Sequence, residues 1–463
     1  MALNCKNILL PDREKQICYQ RKDKEADVVC DVNSLAGALS QRGCVYCGAR
    51  VVLNPITDAA HLVHGPIGCA AYTWDIRGSL TSGPDLYRNS FSTDMQEKDV
   101  IFGGEAKLAG ALRGIIRDYR PQAVFVYATC IAGIIGDDLQ AVCKQIQAET
   151  GIRVIPVQSE GFMGNKSAGY RAACDALLKL IGTHPAPPPV SPLSINILGE
   201  FNLAGELWVI KNYLEALGIE VVSTLTGDGR VDEIARAHTA KLNVVQCAGS
   251  MTYLARKMKE KYGIPYLQVS FAGLQDTEQA LMDIAQFFAS QDEEIVYRAR
   301  RFCIKQRDLI TWELQQYKQM LKGKKAAVYM GGAFKTISLI KMFRDLGMEV
   351  VIAGSQTGKA EEYKQIQREL GDTGVIIDDA GALELSAFLA EFQPDVLVGG
   401  VKERPLAYKA GKGFVDFNHE RKKSFAGYEG MLNFAREVAA TVLSPVWSQL
   451  VTAARMTRSD VYG

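Results

Sequence analysis

The sequence predicts an α/β protein made of three doubly wound, Rossmann-like domains, each built around a parallel sheet. Short runs rich in β-branched residues recur along the chain and are apolar almost throughout, which a strand needs when helices cover both of its faces. Amphipathic stretches alternate with these runs and end at glycine, as helices often do. Such alternation is typical of doubly wound α/β domains.

The individual elements follow from these patterns. The predicted strands are the runs 123–129, 152–158, 194–200, 219–227, 242–246, 326–332, 348–355 and 394–400. Helices are predicted over 137–151 and 254–263, because their apolar positions recur at three and four residues. The proline-rich stretch 183–192 is the clearest linker, since proline continues neither a helix nor a central strand. With a second boundary at 322–325, the predicted domains are 1–185, 190–320 and 321–463.

Composition limits the classes of function open to the chain. With 463 residues, 48% of them apolar and 23% charged, it has the profile of a soluble protein of two or three domains. Its 53 basic and 52 acidic side chains produce no net field that would attract nucleic acid or an anionic membrane. No apolar run approaches the roughly 20 residues that span a bilayer, and the N-terminus becomes charged too early for a secretory signal. We therefore expect a cytoplasmic protein with neither nucleic-acid nor membrane partners.

The 11 cysteines are an odd number in a chain expected in a reducing compartment. They are therefore predicted to be thiols or metal ligands rather than disulfides. Cys44 and Cys47 form a C-x-x-C pair, which is compatible with zinc, a redox pair or a buried core thiol. Zinc would need a second pair at similar spacing, which the sequence lacks. A redox pair would follow a strand and open a helix, whereas an apolar run follows here.

Three other cysteines lie where a ligand could reach them. Cys69 is in "HGPIGC", where proline and two glycines fix the backbone and remove side-chain bulk, and Cys130 and Cys247 each fall between a predicted strand and a predicted helix. Cys143 and Cys174 lie inside helical patterns beside apolar neighbours and are predicted to be buried structural thiols. Because thiolates select soft metals, the residues alone indicate iron–sulfur or other soft-metal ligation. With no Walker A loop and no well-placed G-x-G-x-x-G, we expect no nucleotide on this chain.

Seven longer stretches resemble one family. They are "RGCVYCGAR", "HGPIGC", "SFSTDMQEKDVIFGGEAKL" (90–108), "GIIGDD", "QSEGFMGNKSAG" (158–169), "NVVQCAGSMTYLARKMKEKYGIP" and "GGVKERPLAYKAG". Together they resemble the nitrogenase component-1 family, and most of all its α-type members, which are the catalytic α subunit (NifD) and the cofactor-assembly scaffold subunit (NifE). The resemblance extends from about residue 40 to residue 447 and implies the fold of that family.

The resemblance assigns a shared cluster to three cysteines. Cys44, Cys69 and Cys130 match the α-side cysteines that hold an interfacial cluster, either the P-cluster of [8Fe–7S] type or a [4Fe–4S] counterpart. A partner subunit of β type must supply the remaining ligands, because three thiolates do not complete such a cluster. Cys47 matches no ligand position and is expected to be structural.

The resemblance also implies a large iron–sulfur cofactor of [8Fe–9S–C] type, with or without a heterometal. Cys247 matches the cysteine that anchors one end of it, and His419, in the loop 416–430, lies near the position of the ligand at the other end. Lys402 in "GVKER" matches a basic residue near the organic-acid end of the cofactor. Phe334 in "GGAFK" stands where the family usually carries a basic side chain, so we expect it to line the cofactor pocket.

Departures from the family pattern argue against dinitrogen reduction. Lys166 and Tyr170 replace a glutamine and a histidine that lie over the reacting face of the nitrogenase cofactor, whereas Arg77 in "WDIRG" is retained. A phenol is a poorer proton relay near neutral pH than an imidazole. The predicted catalytic residues are therefore Arg77, Lys166 and Tyr170, in a site that reduces another substrate.

We predict the catalytic α-type subunit of a nitrogenase-like reductase, similar to the D subunit of methylthio-alkane reductase, which cleaves C–S bonds. The alternative is a NifE-type scaffold subunit for maturation of the iron-molybdenum cofactor. The expected partners are a β-type subunit (NifK- or NifN-like) in an α2β2 heterotetramer, a NifH-like ATP-hydrolysing Fe protein that delivers electrons, and a small-molecule substrate.

Overall fold

The computed structural model describes residues 11–20, 28–30, 43–74, 79–183, 191–418, 420–447 and 449. The chain forms two compact units. Unit 1 consists of the described residues of Met1–Arg42, Phe271–Glu278 and Arg301–Gly463, and unit 2 of those of Gly43–Ser270 and Gln279–Arg300. The three predicted domains stay a prediction, and most of the predicted linker 183–192 lies outside the described residues.

Strands alternate with helices along most of the chain. Within the described residues the strands are β1 (Ile17–Tyr19), β2 (Ala59–His64), β3 (Ser90–Ser92), β4 (Ala123–Ala128), β5 (Arg153–Val157), β6 (Ser194–Leu198), β7 (Glu220–Leu225), β8 (Leu242–Val245), β9 (Tyr266–Gln268), β10 (Lys325–Met330), β11 (Glu349–Ser355), β12 (Val375–Asp378), β13 (Val396–Gly399) and β14 (Gly413–Asp416).

The helices between the strands vary widely in length. They are α1 (Val45–Leu53), α2 (Ile67–Trp74), α3 (Glu97–Phe102), α4 (Glu105–Tyr119), α5 (Cys130–Ile135), α6 (Leu139–Thr150), α7 (Lys166–Leu178), α8 (Glu206–Ala216), α9 (Val231–Arg236), α10 (Ala248–Tyr262), α11 (Leu274–Phe287), α12 (Ile295–Leu321), α13 (Ala333–Asp345), α14 (Ala360–Leu370), α15 (Ala382–Phe392), α16 (Arg404–Lys409) and α17 (Gly427–Val442).

The predicted α/β class with parallel sheets is confirmed. Unit 2 contains two four-stranded parallel sheets, in the orders β3-β2-β4-β5 and β7-β6-β8-β9. Unit 1 contains one sheet in the order β1-β12-β11-β10-β13-β14, whose strands are parallel except for β1. Every residue of β4 is buried, which explains why the strand is apolar throughout.

Local sequence explains where the helices begin and end. The Asp138 side chain accepts a hydrogen bond from the amide of Ala141 at the start of α6, and Gly151 ends that helix in the left-handed conformation with φ 74°. Gly263 ends α10 in the same way, with φ 72°. Both predicted helices are therefore confirmed, together with the glycines that close them.

The N-terminal strand β1 pairs antiparallel with β12, so residues near both ends of the chain meet in unit 1. Arg13 stabilises this pairing. Its Nε donates to Glu384 Oε1 at 3.0 Å, and its Nη2 donates to the carbonyl oxygen of Asp378 at 2.7 Å. A short edge strand of this kind gives little signal in the sequence, and it was not predicted.

Helices α1 and α7 touch along their backbones in the core of unit 2. A Cβ on Gly169 would collide with the carbonyl oxygen of Val45, and a Cβ on Gly48 would collide with the carbonyl oxygen of Lys166. Only glycine permits this approach at either position. The contact fixes the start of α1, which directly follows Cys44, against the start of α7, which carries Lys166.

None of the described helices is long and apolar enough to cross a membrane.

Candidate functional site

Cys44, Cys69 and Cys130, called here the cysteine triplet, all lie in unit 2 at the N-terminal ends of helices. Cys44 immediately precedes α1, Cys69 is the third residue of α2, and Cys130 is the first residue of α5. α2 follows β2 and α5 follows β4, and these two strands are parallel neighbours in one sheet. The carboxyl ends of such neighbours share one end of a sheet, so Cys69 and Cys130 are brought to the same place.

Close approach around Gly161 joins Cys44 to this pair. A Cβ built on Gly161 would lie 2.9 Å from Cys130 Sγ and 3.6 Å from Cys44 Sγ, so both sulfurs face the same glycine. Burial raises the pKa of the Cys69 thiol, and the nearby Cys130 and Cys44 thiols raise it further. The structure therefore brings the three predicted cysteines together, although they are far apart in the sequence.

The triplet offers a donor set suited to an iron–sulfur cluster. The thiols of Cys44 and Cys130 face a space that the absent side chain of Gly161 leaves open, and the Cys69 thiol is near enough to both for them to raise its pKa. Burial is the largest cause that raises the pKa of Cys44, so a bound metal would have to displace protons to obtain thiolates. No three His, Cys, Asp or Glu side chains within the described residues converge tightly enough to hold a single metal ion. As thiols, the three donors are of the soft kind that iron–sulfur clusters select.

Exposed apolar side chains lie next to the triplet in the chain. Ile67 on α2 and Ile134 on α5 are 57% and 71% exposed, and Phe162 and Met163, which follow Gly161, are 56% and 67% exposed. The Phe162 ring lies 3.4 Å or less from the Cβ that Gly133 lacks, so it covers α5. Clustered apolar exposure of this kind is typical of a surface that a partner protein covers.

Other cysteines of unit 2 differ sharply from the triplet. Cys143 and Cys174 are buried, and burial raises the pKa of each thiol to about 12. Both were predicted to be structural, and their burial confirms this. Cys47 is also buried, in the first turn of α1. The expectation that the C-x-x-C pair would not open a helix was wrong, because α1 begins at Val45.

Lys166 and Tyr170, predicted to be catalytic, lie one turn apart on α7. The ammonium of Lys166 lies 6.0 Å from the centre of the Tyr170 ring, and both side chains are half-buried. Neighbouring Asn165 forms an isolated antiparallel bridge with Cys44 and accepts a hydrogen bond from the amide of Ser167. The start of α7 therefore lies beside the triplet. Arg77, the third predicted catalytic residue, is outside the described residues.

Cys247, predicted to anchor the large cofactor, directly precedes α10 and follows β8, as expected from the sequence. Gly199, with φ 83°, follows β6, and a Cβ there would lie 2.8 Å from both the Cβ and the amide nitrogen of Cys247. The backbone of Cys247 is thus fixed by a glycine at the end of the neighbouring strand. Its side chain is only partly exposed.

Two further predicted residues, Phe334 and Lys402, lie in unit 1. Phe334 is the second residue of α13, after the glycines Gly331 and Gly332, where an added Cβ would meet nothing within 4 Å. Lys402 follows β13 and is exposed. His419 is outside the described residues, so its predicted ligation stays a prediction.

Sequence reasoning missed Glu403, beside Lys402. The carboxylate is buried, and it accepts hydrogen bonds from the amide of Gly400 at 2.8 Å and from Gln356 Nε2 at 3.1 Å. Burial is the main cause that raises the pKa of Glu403 to about 7. A carboxylate three residues after a predicted strand was the available signal, but it was read only as part of "GVKER".

Comparison with known proteins decides the family. The family of nitrogenase component 1 type oxidoreductases matches residues 44–443. The chain belongs to the nitrogenase component 1 family. A solved structure of nitrogenase Cp1 at pH 5 superimposes with a TM-score of 0.88 and 30% sequence identity, over 96% of this chain and 98% of that one. The predicted family and fold are therefore confirmed.

Curated relatives in this family are more informative about function. The nitrogenase iron-molybdenum cofactor biosynthesis protein NifE of Clostridium pasteurianum is 56% identical over 95% of this chain and 96% of its own length. The NifE of Methanosarcina barkeri is 53% identical over 92% and 94%. The prediction of a catalytic reductase subunit, similar to methylthio-alkane reductase, is therefore wrong. The relatives are cofactor biosynthesis proteins, as in the alternative.

Membership of the nitrogenase component 1 family has two general consequences. The family binds iron–sulfur clusters, and its fold implies a heterotetramer with a β-type partner. The prediction of a reductase was wrong because Tyr170 and Phe334 were weighed as adaptations to a substrate. Either residue is equally compatible with a site that holds a cofactor without reducing anything on it.

Proposed function

We propose that this chain is the α-type scaffold subunit on which a precursor of the iron-molybdenum cofactor is held and matured. The observation that carries the proposal is the identity of 56% with a NifE protein along nearly the whole of both chains. The precursor is the cargo of such a scaffold and leaves it when maturation is complete. The chain's task is therefore binding and positioning rather than reduction of a small-molecule substrate.

In this proposal the cysteine triplet is the α-type half of an interfacial [4Fe–4S] or P-cluster-like site. Two features support it: the sulfurs of Cys44 and Cys130 face the same glycine, and exposed apolar residues flank all three thiols. The missing ligands would come from a β-type, NifN-like partner. Lys166, next to the bridge between Cys44 and Asn165, supplies positive charge beside the site.

Cys247 is proposed as the attachment point of the precursor. It is partly exposed at the carboxyl end of its sheet, and Gly199 fixes its backbone. Lys402 is proposed to attract the acidic organic component, and Phe334 to line the space beside Gly331 and Gly332. A fixed thiolate suits a scaffold, since a single soft ligand can be exchanged when the cargo leaves.

The test is anaerobic transfer of cofactor. The chain is purified together with its β-type partner, and the complex is loaded with the cofactor precursor. After maturation of the precursor, the complex is mixed with cofactor-deficient nitrogenase component 1. We expect activation of the acceptor and no formation of methane or ethylene from methylated thioethers when Fe protein, ATP and reductant are added. Thioether turnover, or failure to activate the acceptor, would overturn the proposal.

A matched pair of variants locates the precursor. Cys247→Ala should abolish activation of the acceptor while the spectrum of the interfacial cluster persists, because the two sites use different thiols. Cys174→Ala, which removes a buried thiol close to the start of α10, serves as the control and should transfer normally; its sulfur contacts the carbonyl oxygen of Ser250 at 3.4 Å. Loss of both centres in Cys247→Ala would contradict separate sites.

A further inference from the structure

A buried hydrogen bond between two side chains joins the segment before Cys69 to the segment after Cys130. His64 is the last residue of β2, and Asp137 follows α5. His64 Nε2 lies 2.9 Å from Asp137 Oδ2, and the two side chains are 0% and 4% exposed. Nothing in the proposed scaffold chemistry uses either residue, so their burial requires another explanation.

The hydrogen bonds around His64 define its tautomer. The amide of Gly65 donates to Thr93 Oγ1 at 3.1 Å. The hydroxyl of Thr93 is closer to His64 Nδ1, at 3.2 Å, than to the carbonyl oxygens of Val63 and Gly65, both at 3.5 Å, so it donates to His64. The imidazole Nε2 then carries the proton that is donated to Asp137. Burial lowers the pKa of His64, and Asp137 only partly opposes this, so the imidazole is neutral near pH 7.

The second oxygen of Asp137 fixes a third segment. Asp137 Oδ1 accepts a hydrogen bond from the amide of Gly104 at 3.0 Å. A Cβ on Gly104 would lie 2.5 Å from Asp137 Oδ2 and 3.0 Å from His64 Cε1, so glycine is required where this backbone passes the pair. One carboxylate thus connects the end of α5, the end of β2 and the loop between α3 and α4.

A hydrogen bond from a side chain to the backbone completes the connection between the two cysteine-bearing segments. Thr129, immediately before Cys130, donates from Oγ1 to the carbonyl oxygen of His64 at 2.8 Å. A Cβ on Gly65 would collide with the same threonine hydroxyl. The five residues from Gly65 to Cys69 therefore begin at a point that is fixed against both ends of α5.

We propose that His64 and Asp137 are positioning residues that set the separation and orientation of Cys69 and Cys130. This inference rests on the proposed cluster role of the cysteine triplet. The pair does not touch the cluster itself. It acts by fixing the two segments that deliver the thiols, as residues behind metal ligands do elsewhere.

Asp137→Asn is the sharpest variant, because asparagine carries no charge and can satisfy both neighbours only if His64 also changes its tautomer. Its amide presents one acceptor and one donor group, whereas His64 Nε2–H and the Gly104 amide are both donors. With His64 protonated on Nε2, either orientation leaves two donors facing each other. With the proton on Nδ1, Thr93 would have to accept from His64 and donate instead to the carbonyl oxygens of Val63 and Gly65, both at 3.5 Å. Asp138→Asn is the matched control, since Asp138 is the adjacent carboxylate and its side chain accepts a hydrogen bond from the Ala141 amide at the start of α6.

The complex with the β-type partner is reconstituted anaerobically with ferrous iron and sulfide. We then record the EPR spectrum of the reduced cluster and the rate of iron loss to a chelator. We expect Asp137→Asn to lose iron about tenfold faster than Asp138→Asn and to show an altered EPR line shape. An unchanged spectrum and rate, relative to Asp138→Asn, would overturn the inference.

Two milder variants, both at Thr93, test the inference if Asp137→Asn does not fold. Thr93→Val removes the hydroxyl that orients His64 with little change in volume, and Thr93→Ser restores it. The valine variant should lose iron faster than the serine variant, and equal rates would refute the positioning role of His64 and Asp137. If the wild-type complex itself takes up no cluster, the proposed role of the cysteine triplet fails instead, and the two failures are thereby distinguished.

Discussion

Two sheet ends of similar topology are stabilised differently in this chain. In unit 2, the structure around the cysteine triplet depends on close packing of backbone against Gly48 and Gly169 and of cysteine side chains against Gly161. In unit 1, the loop after β13 depends on a buried carboxylate, Glu403, that binds the amide of Gly400. The comparison teaches that the first site should respond to added volume and the second to pH. The predictions below test this contrast, from the largest expected effect to the smallest.

Gly169→Ala should cause the largest loss of stability. Its Cβ would collide with the backbone of α1, which cannot move away as a flexible side chain could. We expect the free energy of unfolding to fall by about 3 kcal/mol and the cluster content to fall with it, as measured by anaerobic denaturation and iron analysis. Gly110→Ala is the control. Gly110 is also helical, in α4, but an added Cβ meets nothing within 4 Å, so that variant should be at least as stable as the wild type.

Glu403→Gln should change the pH dependence of stability. Burial raises the pKa of Glu403 from 4.5 to about 7, so the folded state keeps a proton that the unfolded state has already lost. The contribution of this group is fully present below pH 4.5 and decreases as the pH rises to about 7. Glutamine stays neutral, so the variant should gain about 3 kcal/mol over the wild type across that interval, with no further gain above it.

The measurement for Glu403→Gln is the unfolding midpoint between pH 4 and pH 9. Gln356 can rotate its amide to accept from the new side chain, so the hydrogen bonds survive the substitution. Glu361→Gln, on the exposed side of α14, is the control and should follow the wild-type profile. A parallel profile for Glu403→Gln would show that the carboxylate is already ionised in the folded state at low pH.

Cysteine substitutions should separate stability from metal content. Cys143→Ala removes a buried thiol from the core and should cost about 1 kcal/mol while iron content stays unchanged. Cys130→Ala, at a partly exposed position, should do the reverse and lose iron at little cost to the unfolding free energy of the metal-free chain. Iron retention by Cys130→Ala would remove the distinction between the two classes of thiol.

The smallest effect on stability is expected at the apolar surface. Ile134→Asn changes a side chain that is 71% exposed and should shift the unfolding free energy by less than about 0.5 kcal/mol. It should nevertheless weaken association with the β-type partner, which analytical ultracentrifugation would detect. Leu383→Ser, at an exposed position on α15, is the control. Unchanged association of Ile134→Asn would exclude this residue from the interface.

The sequence was sufficient to predict eight of the described strands and two of the helices, but not all of the elements or their contacts. Continuous apolar runs such as β4 predict buried parallel strands because only β-branched, apolar residues suit both covered faces. Strand β2, "AAHLVH", was missed because its two histidines look polar. In the structure, His61 hydrogen-bonds Tyr127 and His64 pairs with Asp137, so both are satisfied in the core.

The site was predictable only in part, for a similar reason. Strand ends placed Cys130 and Cys247 correctly, since the position of a residue after a strand is a local property. The approach of Cys44 to Cys130 depends on the contact between α1 and α7 and on Gly161, which no local pattern reveals. Glu403 was missed because its burial, and not its residue type, sets its pKa. The choice between reductase and scaffold required sequence identity along the whole chain, because the few residues on which it had rested, Tyr170 and Phe334, suit both functions.

The pairing of β1 with β12 has a consequence for synthesis on the ribosome. Arg13 leaves the exit tunnel early, but Glu384, its partner 371 residues further on, is translated near the end. All of unit 2 lies between these two residues in the sequence, so both of its sheets are translated before Glu384. Unit 2 can therefore fold while the N-terminal segment is still unpaired. Chaperones that bind nascent chains should therefore contact residues 11–20 throughout most of translation, and a stall before residue 375 would leave that strand without its partner.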